Sequence, residues 1–204
     1  MAELVPTGGW STPARPRLQA PCARERGWLL GLLSRLAGRL GRPDIPDVIT
    51  VLHLNPRLFW PWLWFASRLM PGGRLPSRVR ERVILRTAWN CRSRYEWGQH
   101  VQIGLRVGLT DADVVQVSRG PAAYTEQPLR AVMQACDEMF ARQLIEDATW
   151  QALAQHYDRK LLIELMMLIG HYVMVAGFLN SAGLVLEPPI EKVLQDFHRR
   201  VAAA

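Results

Sequence analysis

The sequence predicts an all-α fold, a bundle of amphipathic helices without a sheet. Three observations carry that expectation. Apolar residues recur at three- and four-residue spacing in one segment after another. Those segments open on Asn, Thr or Asp and stop at Gly or Pro, the usual helix punctuation. No run alternates apolar and polar residues convincingly over the length of a strand. A length of 204 residues suits one domain with an arm and is enough for a sizeable core.

Residues 1 to about 25 hold Gly8-Gly9, Pro13, Pro16 and Pro21 with no apolar period, which reads as a loose arm. Trp28 to Leu40 is the first expected helix, with Leu29, Leu32, Leu33, Leu36 and Leu40 on one side. It is read as packed on its own domain or a neighbouring subunit, with a membrane surface as the rival, because it is basic and Leu-rich. Gly41-Arg42-Pro43 stops it. Residues 1–45 thus form a basic N-terminal arm with one amphipathic helix, and residues 46–204 a helical domain.

Pro46 to Leu52 reads as a short helix or turn. Asn55-Pro56 then opens a helix to Met70, with Asn55 at the cap and Pro56 at the first position. Trp60, Trp62 and Trp64 cannot all face the core from one helix, so some of these rings are expected at a subunit interface or a pocket wall. Arg80 to Asn90 is helical, with Val83, Ile84, Thr87 and Ala88 as its stripe. A second helix runs through His100 and stops at Gly108. Thr110 with Asp113 opens a short helix from Asp111 to Ser118. Further helices are expected over Gln127–Arg142, Ala148–His156, Arg159–Leu179 (capped by Asp158) and Ile190–Val201. No stretch of eighteen apolar residues stands out, so no membrane span is expected.

Basic residues exceed acidic ones by seven, and 23 of the 25 are arginine. Residues 1–42 carry seven Arg against two Glu, residues 74–106 eight against two, and residues from 107 onward eight basic against twelve acidic. A basic surface can steer nucleic acid, anionic lipid or a small carboxylate. Without an RNA- or DNA-binding motif the small anion is preferred, and no nucleic-acid partner is expected. Cys22, Cys91 and Cys136 are too widely spaced for a disulfide framework or a zinc pattern, which together with the lack of a secretory leader pattern suggests the cytoplasm. No known metal motif and no phosphate loop occurs, so neither a metal nor a cofactor is expected.

The chain is organised around Glu81 to His100, ERVILRTAWNCRSRYEWGQH. Ser93, Glu96 and His100 are three and four residues apart, so a helix stacks them on one face. A break between the two helices can bring Glu81 back toward His100. Two carboxylates and an imidazole among apolar residues can handle protons, and burial would raise the carboxyl pKa values. A rival reading is structural: Ser93-x-x-Glu96 is also a capping box, which would occupy Glu96. His100 alone could equally be a structural histidine.

This stretch resembles the carboxymuconolactone decarboxylase family, which includes the alkylhydroperoxidase D-like proteins. Glu81 nineteen residues before His100, the run RSRYEWGQH and the following GLTDADV carry the resemblance. The resemblance covers roughly Val48 to Leu186. In the peroxidase branch a redox pair stands seven and four residues before the motif histidine. Here those positions are Ser93 and Glu96, and Tyr95-Glu96-Trp97 looks more like the decarboxylase branch.

The resemblance implies the family's helical bundle, a homo-oligomer (a trimer or a dimer of trimers), and a cofactor-independent lyase. Its substrate would be a small carboxylated lactone or related unsaturated acid. His100, Glu96 and Glu81 are the candidate catalytic residues. Ser93, Arg92, Arg94, Tyr95 and Trp97 are candidates for substrate binding, although Trp89 and Trp97 can equally fill core, and one of the two arginines is expected on the surface. The alternatives are a peroxide-reducing enzyme, for which a lone Cys91 lacks a resolving partner, and a non-catalytic ligand-binding oligomer.

Overall fold

The structure, a computed structural model, describes residues 4–22 and 45–204. The expected helix at Trp28–Leu40 lies outside the described residues. Those described fold into α1 (Asp47–Leu52), α2 (Pro56–Leu69), α3 (Ser77–Asn90), α4 (Arg94–Arg106), α5 (Asp111–Arg119), a 3-10 turn (Pro121–Ala123), α6 (Leu129–Arg142), α7 (Asp147–Ala154), α8 (Arg159–Ala182) and α9 (Pro188–Ala203). There is no strand among the described residues. The fold is all-α, as the periodicity indicates.

Helix α3 is the central element and touches α4, α5, α6 and α8. Its stripe is fully buried at Val83, Ile84, Leu85, Thr87 and Ala88. Val101 of α4, Val114 and Val117 of α5, Val132 and Met133 of α6, and Leu168 and Ile169 of α8 close around it. Truncating one such core aliphatic to alanine costs roughly 2–5 kcal/mol.

The arginine surplus of residues 74–106 is largely consumed inside the fold. Arg86 makes a two-pronged contact to Asp137 of α6 at 2.6 and 2.8 Å and also donates to the Val117 and Ser118 carbonyls. Arg82 reaches Asp113 at 2.6 Å, and Arg94 reaches Glu191 of α9 at 2.7 and 2.9 Å. Such forks orient a partner as well as attract it. The acid excess after residue 107 answers the arginine excess before it. These side chains are therefore ties between helices and not a free basic surface.

Two expectations need correction. Residues 4–22 are not a loose arm, because they dock on the bundle. Trp10 sits edge-on to Trp89 at 5.7 Å and against Trp97 at 6.1 Å. Ser11 N–H donates to the Arg92 carbonyl, and Arg17 and Leu18 N–H donate to the Ala182 carbonyl. Apolar area on Trp10 and paired backbone groups hold a segment whose composition alone suggests disorder. Second, α8 is long and apolar enough to cross a membrane, with a window of mean hydropathy 1.9. One face of it packs on α2, α3, α4, α6 and α7 as a core helix.

Candidate functional site

The site forms where α3 and α4 meet. Helix α3 ends at Asn90, the chain turns through Cys91 and Arg92, and Ser93 starts α4. Arg92 has φ of 52°, a left-handed conformation that reverses the chain in a few residues. The reversal lays α4 antiparallel against α3, so Glu81 in the first half of α3 faces His100 in the second half of α4. Gly98 makes room for the neighbouring C-terminal turn, because a Cβ there would lie 2.4 Å from the Leu186 side chain.

Glu81 Oε2 lies 2.7 Å from His100 Nδ1. Glu81 is fully buried and His100 only 5% exposed. With Nδ1 engaged by the carboxylate, Nε2 is the ring atom that can serve a ligand. Glu96, one turn before His100, is also buried, and neither of its carboxyl oxygens has a hydrogen-bond partner. Burial alone pushes its pKa well above the ordinary value of 4.5. Glu96 is therefore the carboxyl whose protonated form burial favours, one turn from an imidazole that is hydrogen-bonded to Glu81.

The capping-box alternative is not formed. Ser93 occupies the N-cap of α4, but its side chain accepts no hydrogen bond from the helix, and its buried hydroxyl has no partner. The reciprocal box is instead at Thr110 and Asp113, opening α5. Glu96 is thus not held by a capping role, and the Ser93 hydroxyl, both Glu96 oxygens and one oxygen of Glu81 are buried without hydrogen bonds. Buried polar groups without hydrogen bonds are rare in folded proteins, and three of them on residues of one helix corner mark that corner as a candidate site.

The candidate binding residues divide. Arg92 extends to the Gly8 carbonyl at 3.1 Å, and Arg94 is taken by Glu191. The Tyr95 hydroxyl donates to Glu187 at 2.6 Å and accepts from the Val48 N–H at 3.2 Å. Gln99 also donates to Glu187. These contacts fasten α4 to α1, α9 and the turn before α9. Trp97 is fully buried and packs on Trp89 at 5.0 Å, so it fills core. The structure brings Ser93, Glu96, Glu81 and His100 together, and it commits Arg92, Arg94, Tyr95 and Trp97 to packing and ties.

Two residues that the sequence did not single out complete the surroundings. Tyr172 of α8 sets its ring perpendicular to His100, with centroids 5.1 Å apart. Burial pushes its hydroxyl well up, with further upward pressure from the negative charges of Glu96 and Glu81 and a smaller downward pull from Arg80. Arg80, 7% exposed, has its Nε 3.5 Å from Glu81 Oε1. Nothing in the sequence separates Arg80 from its seven neighbours in the arginine-rich stretch. Tyr172 lies on an apolar helix far from the motif.

Cys91 is a poor nucleophile here. Burial, and then the charge of Glu96, push its thiol up to about 12. Cys136 is fully buried and its thiol is pushed up further, again chiefly by burial. Among the described residues, no three His, Cys, Asp or Glu side chains converge as metal ligands do.

Fold and site together define an all-helical protein with a buried carboxyl–imidazole group at a helix corner. Residues 56–138 match the carboxymuconolactone decarboxylase family. Comparison with curated protein sequences gives no match. Among solved structures, an alkylhydroperoxidase AhpD core protein from Ralstonia eutropha JMP134, described as peroxidase-related, is 17% identical with a TM-score of 0.73; 86% of this chain and 94% of that one are covered. A peroxidase-related protein from Silicibacter sp. TM1040 gives 13% identity and a TM-score of 0.73, covering 88% and 95%. The debrominase Bmp8 gives 17% identity and a TM-score of 0.66, covering 91% and 100%. At these identities the likeness concerns the fold.

Proposed function

We propose that this protein is a cofactor-independent lyase of the decarboxylase type, acting on a small carboxylated lactone or a related unsaturated acid. The observation that carries the reading is the buried pair of Glu81 and His100 beside Glu96, a carboxyl without hydrogen bonds whose protonated form burial favours. Loss of carbon dioxide from such an acid breaks a C–C bond and leaves its electron pair on a dienolate. The dienolate needs hydrogen-bond donors and then a proton. Glu96 in its acid form and His100 at Nε2 can supply them, and Glu81 orients the imidazole and stabilises its cationic form.

The peroxide-reducing alternative lacks chemistry at the site. Ser93 and Glu96 stand where that branch carries its redox pair, and Cys91 is held as a thiol. A homo-oligomer, a trimer or a dimer of trimers, is part of the proposal. Its support is an uncovered apolar face. Ile163, Met167, Gly170, Met174 and Gly177 recur every four and three residues along the exposed side of α8, and Trp64 and Leu58 of α2 are each 66% exposed. A second copy of the chain is the occupant this seam suits, since a Cβ at Gly170 or Gly177 meets nothing within 4 Å and each glycine leaves a hollow for a facing side chain.

The test is an ultraviolet absorbance screen of carboxylated lactones and enol-lactones, with carbon dioxide release measured in parallel. The expected result is turnover by the parental chain and a loss of about 10²-fold or more in folded His100→Gln and Glu96→Gln. Parental rates in both variants would put the chemistry elsewhere.

A further inference from the structure

We infer that Arg80 and Tyr172 form the receptor for a carboxylate on the substrate. This rests on the proposed site at His100 but not on which reaction occurs there. Arg80 is almost completely buried, yet its guanidinium has a single hydrogen bond, from Nη1 to the Pro71 carbonyl at 3.3 Å. Its Nε is buried and ion-paired with Glu81 Oε1 at 3.5 Å, but neither atom makes a hydrogen bond. Taking a guanidinium out of water and leaving it a donor short is costly, and a ligand oxygen recovers that cost.

Tyr172 is the second donor. Its hydroxyl is 3.4 Å from Met70 Sδ, a thioether that accepts only weakly. Its ring stands perpendicular to that of His100 with centroids 5.1 Å apart, which places Tyr172 at the site. Both donors are held in place. Met70 and Pro71 belong to the loop between α2 and α3, and Glu164 of α8 pins that loop through the Arg74 and Leu75 N–H groups at 2.9 and 2.8 Å. Gly73 allows this tight turn, because a Cβ there would fall 2.4 Å from the Leu69 carbonyl oxygen.

The ligand is a carboxylate by charge as well as by shape. A planar guanidinium matches a carboxylate through parallel N–H bonds. Glu81 already places one buried negative charge beside Nε, so a ligand with one added charge is tolerated better than a phosphate dianion. Arg80 thus takes the role that the sequence offered to Arg92 and Arg94.

Calorimetry on the full chain tests this with a small panel of acids (sorbate, cis,cis-muconate, 2-furoate and benzoate), each paired with its neutral amide. At least one acid is expected to bind, with its amide at least tenfold weaker. Arg80→Gln should weaken the acid by tenfold or more, Arg80→Lys by less, and Tyr172→Phe by a few-fold. The inference is overturned if no acid binds at millimolar concentration, if acid and amide bind alike, or if folded Arg80→Lys and Arg80→Gln bind as the parent does. The amide comparison needs no variant, so a misfolded Arg80→Gln does not blunt the test. Absence of turnover with Arg80-dependent binding intact would count against the lyase reading alone. Turnover whose KM ignores Arg80 would count against the receptor alone.

Discussion

Glu81 holds His100 at Nδ1 across 2.7 Å, although nineteen residues of helix, corner and helix separate them. The contact ties the two helices of the α3–α4 corner through buried polar groups as well as through packing. Its consequence is directional: with Nδ1 tied to a buried carboxyl, Nε2 is the ring nitrogen left to meet a ligand in the proposed reaction.

Glu81→Gln is expected to preserve the hydrogen bond and lose the charge. The fold should survive while the rate on any identified substrate falls by about 10²-fold. Glu81→Ala removes the partner altogether and should also cost on the order of 3–5 kcal/mol, the scale for stranding one member of a buried pair. Urea denaturation beside kinetics separates the two. Equal stability of both variants would show that the pair is not tightly coupled.

Glu96→Gln carries a stability prediction as well as a kinetic one. Burial raises the folded-state pKa of Glu96 above its ordinary value of 4.5. The folded chain therefore binds more protons than the unfolded chain between those two values, and stability falls as pH rises across that window. Glutamine mimics the protonated form and has no such slope. Melting temperatures of the variant and the parent should agree below pH 4.5 and diverge above it, with the variant the more stable. Parallel curves would mean that Glu96 ionises freely in the fold.

His171 gives the opposite sign. Burial lowers its pKa from 6.5 to about 4, and its ring stacks on Trp62 at 6.0 Å. Here the unfolded state binds more protons, so stability is lost as pH falls from 6.5 toward 4. His171→Phe should flatten this limb of the melting curve while leaving the neutral-pH fold intact. An unchanged acid limb in that variant would remove His171 from the account.

How much of this was legible in the sequence depends on the range of the contact involved. Helix positions followed from local apolar period and punctuation, and Thr110–Asp113 formed the box that its spacing announced. A helix, a break and a helix can bring Glu81 back toward His100, and it is the family resemblance, with its nineteen-residue spacing, that singles the two out. The same spacing logic misled at Ser93–Glu96, where the capping geometry exists in sequence but the side chains do not use it. Arg92 and Arg94 looked like site residues because they flank the break, whereas Gly8 and Glu191, which claim them, are distant in the chain. Arg80 and Tyr172 were invisible for the converse reason. They meet the Glu81–His100 pair through the packing of α3 and α8, and a contact made by packing leaves no local pattern in a sequence.

The cysteines should be dispensable. Replacing Cys22, Cys91 and Cys136 together with alanine or serine is expected to leave activity within a few-fold. Cys91 should also alkylate slowly at pH 8, because its thiol pKa stands at about 12. Rapid labelling of Cys91, or loss of turnover in folded Cys91→Ala alone, would revive a thiol-based peroxidase.

The last prediction concerns what covers α8. Met167 and Met174 are 47% and 56% exposed at the centre of the seam, flanked by the hollows at Gly170 and Gly177. On α2, the Arg68 guanidinium lies 5.3 Å from the Trp64 ring centroid, yet Trp64 remains 66% and Trp60 38% exposed. Apolar surface left this open on two adjacent helices favours association, since each buried Å² contributes about 25 cal/mol before ordering costs. Light scattering at micromolar concentration should give a multiple of 23.2 kDa, and a trimer or a dimer of trimers is the expected multiple. Met167→Glu with Met174→Glu should lower the mass while leaving the helical circular dichroism unchanged, because neither side chain is part of the core. A parental chain that runs as a clean monomer would remove the self-association proposal. An unchanged oligomer in the double variant would move the interface off α8 and onto the tryptophans of α2. An apolar face serving a membrane instead would show as a monomer that floats with lipid vesicles and loses that behaviour in the same double variant.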